Sequence, residues 1–188
     1  MGVRFLPSAA ILCLALNSLA NVTPAPAQTA AQHTGLASDS NFIQTTMSLG
    51  LLQVKLGKLA QEKGSSEVVR DFGKRMLADY SKVNEQLATA ARQAAYPHPV
   101  LLRQHQQTVE RFKSMGKSSF DKNYIAEMVG RHDEAAGLFA VEAKGGRVQS
   151  LKQLAAALLP DMQRYQSLAA QAAGAVGADV TASASSGQ

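Results

Sequence analysis

Residues 40–93 read SNFIQTTMSLGLLQVKLGKLAQEKGSSEVVRDFGKRMLADYSKVNEQLATAARQ. Apolar residues recur three and four positions apart through both halves, and a Gly-Ser-Ser break separates them. That period places Phe42, Thr46, Leu49, Leu52, Gln53, Leu56 and Ala60 on one face of a first helix. It places Val69, Phe72, Met76, Tyr80, Val83, Leu87 and Ala90 on one face of a second. Asn41 and Gln44 have capping-box spacing, so the first helix is expected to start at Ser40 or Asn41. Gly64 stops it, and Ser65 and Glu67 begin the second. Two amphipathic helices joined by so short a turn lie side by side, and their stripes need further helices to cover them.

The rest of the chain supplies those helices. Tyr96-Pro97-His98-Pro99 ends the second, because two prolines one residue apart cannot continue a helix. A short helix follows at about Leu101 to Met115, closed by Gly116. Ser118 or Ser119 opens a third long helix with the stripe Phe120, Tyr124, Met128, His132, Ala135, Phe139 and Ala143. Gly145-Gly146 breaks the chain, and a last helix carries Leu151, Leu154, Leu158, Met162, Tyr165 and Leu168. Pro160 falls inside it and is expected to kink it. The fold class is therefore all-α: an up-and-down four-helix bundle with one additional short helix between the second and third long helices. No alternating run competes for strand. Composition agrees: of 188 residues 18% are charged and 5% aromatic, with no Trp, which disfavours a β-sandwich core and a base-stacking nucleic-acid surface.

The ends read differently from the bundle at 40–173. Arg4, the apolar run Ala9–Leu16 and the Ala25-Pro26-Ala27 site have the order of a secretory signal peptide over residues 1–27. Eight apolar residues cannot cross a bilayer that needs about 20, so no transmembrane span is expected. Cleavage near Ala27 predicts a periplasmic or secreted protein and removes Cys13, the single cysteine, leaving neither disulfides nor thiolate chemistry. Residues 28–39 lack an apolar period and read as a flexible leader. Residues 174–188, small and polar, read as a disordered tail.

Gln53, Tyr80, His132 and Tyr165 put one polar side chain on the core face of each long helix, the placement by which bundles build interior sites. A dinuclear carboxylate centre needs several carboxylates and Glu-x-x-His pairs, and no Glu here is followed three residues later by His. One imidazole with Asp121 and Asp79 is a poor divalent-metal set, and Tyr and Gln add little. The expectation is no cofactor, with His132 hydrogen-bonded to a tyrosine hydroxyl or to Gln53. The alternative is a divalent metal or redox site centred on His132, Asp121 and Asp79. His33, His98 and His105 share no spacing and read as solvated. Serines cluster at helix starts, where capping explains them, so no catalytic triad is expected. The lysines and arginines of the first helix pair alternate with acids and read as a solvated face.

The segments FIQTTMSLGLLQVKLGKLAQEKGSSEVVRDFGKRMLADYSKVNEQL, SSFDKNYIAEMVGRHDEAAGLF and LKQLAAALLPDMQRYQSLA together resemble the bacterial exported family called domain of unknown function 4142. The resemblance spans about residues 40–173 and is carried by Phe120-Asp121 with Tyr124, Met128 with His132, and Leu159-Pro160. It implies a ferritin-like four-helix bundle in the cell envelope. Family members typically carry Glu, an Asp-His pair and His where this chain has Gln53, Asp79-Tyr80 and Tyr165. Against that resemblance, a potential ligand cluster is replaced here by a neutral hydrogen-bonded core. Because the core stripes hold no catalytic or ligand set, the expected role is a non-enzymatic one through contact with an envelope protein or surface.

Overall fold

The computed structural model describes residues 28–98 and 100–180, the first ten by their backbone alone. Five helices follow one another: α1 (Gln28–Lys63), α2 (Glu67–Gln93), α3 (Arg103–Ser114), α4 (Lys117–Gly145) and α5 (Gln149–Val176). The expected signal segment 1–27 and the last eight residues of the expected tail lie outside the described residues.

The stripes read from the period are the core. Leu52, Leu56, Val69, Met76, Tyr124, Met128, Leu151 and Met162 are fully buried. Helix boundaries moved more. The α1 helix starts at Gln28, so the segment expected as a flexible leader is helical, and Ser40 and Asn41 lie inside it rather than capping it. The Ser40 hydroxyl instead accepts from Gln44 Nε2 at 3.2 Å. Ala, Gln and Leu carry enough helix propensity to continue a helix whose far end is anchored. At the other terminus α5 runs to Val176 and closes on Gly177 in the left-handed region, taking in positions expected as tail. It also continues through Pro160.

Each long helix packs against two others: α1 on α2 and α4, α5 on α4 and α2. The start of α4 meets the start of α2, and the start of α5 meets α1 near Asp39. All four neighbouring pairs are therefore antiparallel, while α2 and α4 sit diagonally and run the same way. The chain makes that diagonal crossing through α3, which lies on α1. Phe112 of α3 anchors the crossing among Phe120 and Tyr124, with ring centroids 5.8 and 6.4 Å away. Lys63 donates to the Phe112 and Lys113 carbonyls at its end, and Arg111 pairs with Glu127 of α4 at 2.7 Å. The first two helices approach unusually closely: a Cβ on Gly73 would lie 2.5 Å from the Ala60 Cβ and 2.8 Å from the Gly57 carbonyl oxygen.

Candidate functional site

Three of the four interior polar residues meet. The rings of Tyr80, His132 and Tyr165 form a triangle with centroids 5.7 to 5.8 Å apart, and Phe72 closes on His132 edge-on at 6.0 Å. Gln53 is also buried, but its Oε1 has no hydrogen-bond partner and no hydrogen bond joins it to His132.

What holds the triangle is ring packing, not the hydrogen-bond network expected of it. His132 Nδ1–H donates to the Met128 carbonyl one turn back at 2.7 Å, leaving Nε2 with a lone pair and no partner. Burial pushes its pKa down to about 4, so the ring is neutral at pH 7. Tyr80 OH finds only the Met162 sulfur at 3.7 Å, a weak acceptor. Tyr165 OH donates to Asp79 Oδ2 at 2.9 Å, and burial together with that carboxylate pushes the phenol up to about 12. Burial likewise raises Tyr80. The two hydroxyls should therefore separate on mutation. Tyr165→Phe is expected to cost about 1.5–3 kcal/mol, the range for a bond to a charged group, and Tyr80→Phe under about 0.5 kcal/mol. Urea unfolding of both variants checks this, and the reverse ranking would overturn it.

The two aspartates proposed as metal ligands are occupied elsewhere. Asp79 faces Tyr165. Asp121 accepts from the Ser65 and Ser66 amides at 2.9 and 2.7 Å, closing the turn between α1 and α2. A second aspartate does the same at the opposite hairpin. Asp39 of α1 is fully buried, and its carboxylate accepts from the Arg147 and Val148 amides at 2.8 to 3.2 Å. Val148, the N-cap of α5, has no side-chain oxygen to offer, so the cap comes from a residue distant in sequence. Each hairpin turn is thus tied by an aspartate from the first helix of the other hairpin. The signal was present in the chain as Asp39-Ser40-Asn41-Phe42 and Asp121-Lys122-Asn123-Tyr124, the same Asp-x-Asn-aromatic phrase twice.

His105, expected to be solvated, is fully buried. Ser48 Oγ accepts from the Leu102 amide at 2.8 Å and shares a 2.6 Å hydrogen bond with His105 Nδ1, while Gln104 Nε2 lies 3.5 Å from the ring's Nε2. Burial, then Arg131, lowers the pKa of this imidazole. A serine hydrogen-bonded to a histidine has the parts of a nucleophile and its base. Both are sealed from solvent, however, and the pair fastens the crossing loop and α3 to α1. His98 is exposed, as expected.

A metal ion does not fit the central donors. They amount to one imidazole nitrogen ringed by Phe72, Tyr80 and Tyr165, with both carboxylates committed to other bonds. Among the described residues no group of three or more His, Cys, Asp or Glu side chains could hold a metal. No described helix is long and apolar enough to cross a membrane. No curated protein and no solved structure matches the chain. A family model does match, over residues 23–172, and it takes in the crossed aspartate caps and the central ring triangle alike. By that match the chain belongs to the family described as Domain of unknown function (DUF4142).

Proposed function

We propose that the protein is an exported, non-enzymatic helical bundle that acts in the bacterial envelope through contact with an envelope protein or surface. Its interior is a ferritin-like ligand cage converted to structural use. The observation that carries this reading is the central triangle: one neutral imidazole packed against two tyrosine rings, with the Asp79 carboxylate already bound to Tyr165. Such a centre can stiffen a bundle, but it supplies no acid–base pair and no anionic ligand set. The composition of residues 1–27 supports export, since their basic start, apolar run and small-residue exit are what the secretion machinery reads.

The test is production of the full chain in a host with a periplasm, followed by N-terminal analysis and elemental analysis of the periplasmic protein. Recovery of a chain beginning near Gln28 without stoichiometric iron, manganese or zinc is the expected result. One metal per chain would overturn the non-metal reading, and retention in the cytoplasm would overturn the export reading. The rival, a metal or redox protein centred on His132, has one atom in its favour. His132 Nε2 is buried and unpartnered while Nδ1 is fixed by a carbonyl, as in many metal-bound imidazoles. That rival requires a metal-dependent rise in melting temperature that His132→Ala abolishes.

A further inference from the structure

The α5 helix changes character after Arg164. From Tyr165 to Ala178 it holds no charged residue, although Ala170, Gln171, Gly174 and Ala175 are exposed. A helix face turned to water ordinarily carries charge, whereas the centre of a protein interface is depleted of it. Beside this strip runs an open groove of about 310 Å³ between α2 and α5. Leu168 and Ala172 line it from α5, and Phe72 and Val68 from α2, with Val68 41% exposed.

The charged side chains that border the groove are Asp71 and Arg75. They stand one turn apart on the outward face of α2, and both are exposed. Residues four apart can pair along a helix, yet among the described residues neither side chain makes an ion pair or a hydrogen bond. An acid and a base left unpaired at the lip of an uncharged surface suit a partner that presents the same two groups in reverse order.

We propose that this face is the interface of a homodimer, with a second copy of the chain packed on it about a two-fold axis. Antiparallel pairing of the two α2 helices sets Asp71 of each copy opposite Arg75 of the other. The same register sets Val68 opposite Ala78, an exposed small residue. The two grooves then face each other, and the uncharged strips of α5 flank them. An anionic polymer would instead meet a like charge in Asp71 and find no base along this stretch of α5. Exposed ion pairs add little affinity, so burial of groove and strip supplies the attraction while the crossed pairs fix the register. Dimerisation needs neither export nor an envelope contact.

The test is sedimentation velocity of the full chain at increasing concentration, with Asp71→Arg and Arg75→Asp made singly and together. A monomer–dimer equilibrium is expected of the parent. Each single variant sets like charges against each other twice and is expected to weaken dimerisation at least about tenfold. Mixed in equal amounts, the two single variants are expected to associate with each other, because one supplies two bases and the other two acids. The double variant restores both pairs and is expected to dimerise as the parent does. Both positions are exposed, so the melting temperature of the dilute single variants should hold, which separates lost contact from lost fold. Deletion of residues 181–188 is expected to leave the dimer unchanged. A parent that dimerises only after that deletion would show that the chain's own end covers the groove, and would overturn the proposal. So would a parent that stays monomeric throughout, a dimer indifferent to the charge changes, or single variants that fail to associate when mixed.

Discussion

Lowering the pH from 7.5 to 5 is expected to remove about 2 kcal/mol of stability through His132 alone. The imidazole titrates near 6.5 in the unfolded chain but only near 4 in the bundle, because burial penalises its charged form. Between those values the unfolded state binds a proton that the folded state refuses, so stability falls as pH falls through that window and is fully lost below about 4. Each pKa unit is worth about 1.4 kcal/mol, and roughly one and a half units of the window lie above pH 5. His105, also lowered by burial, adds in the same direction.

Glu142 works against this limb. Its folded pKa is raised to about 7, so it contributes stability that is present at low pH and lost as pH rises towards 7. The clean measurement is therefore a difference. Urea unfolding of the parent chain and of His132→Phe at pH 7.5, 6 and 5 cancels Glu142 and His105. The phenylalanine keeps ring contact with Phe72, Tyr80 and Tyr165 and removes the unpartnered Nε2, so the variant should match or exceed the parent at pH 7.5. Its advantage should grow by about 2 kcal/mol at pH 5. An advantage that does not change with pH would mean that His132 is not held neutral by burial.

Asp39→Ala is the substitution expected to hurt most. It removes a buried, charge-assisted cap from the Arg147 and Val148 amides and leaves both without an acceptor. A lost cap and orphaned buried amides together come to about 2–4 kcal/mol. Asp39→Asn keeps one carbonyl oxygen and should lose about half as much. Asp121→Ala, on a half-buried aspartate whose amides can turn to water, should cost about 1–2 kcal/mol. Thermal or urea unfolding at pH 6, where Glu142 is largely protonated, gives the ranking. Hydrogen exchange at Arg147 and Val148 should quicken selectively in the Asp39 variants. Equal losses for Asp39→Ala and Asp121→Ala would show that burial does not set the strength of these caps.

The centre of the bundle was legible to different depths at different residues. Tyr80, His132 and Tyr165 could be assigned to one interior because a helical stripe names the face that is buried, and they meet there. Which atoms bond could not be read. His132 turned to its own helix, Tyr165 to Asp79, and Gln53 to neither, because bonding depends on a few tenths of an ångström in how the helices are set. His105 was misplaced as solvated because its partner, Ser48, lies on another helix and no spacing links the two.

By itself the sequence determined the helices and their buried faces, since 3.6-residue periodicity and breakers such as Gly64, Pro97 and Gly145-Gly146 act within a few residues. Tertiary structure alone decided the diagonal crossing of α2 to α4, the exchange of aspartate caps between hairpins, and the burial of Glu142. Each of these depends on which distant segments share one volume, and burial there changes what a carboxylate or an imidazole costs in a way no local pattern records.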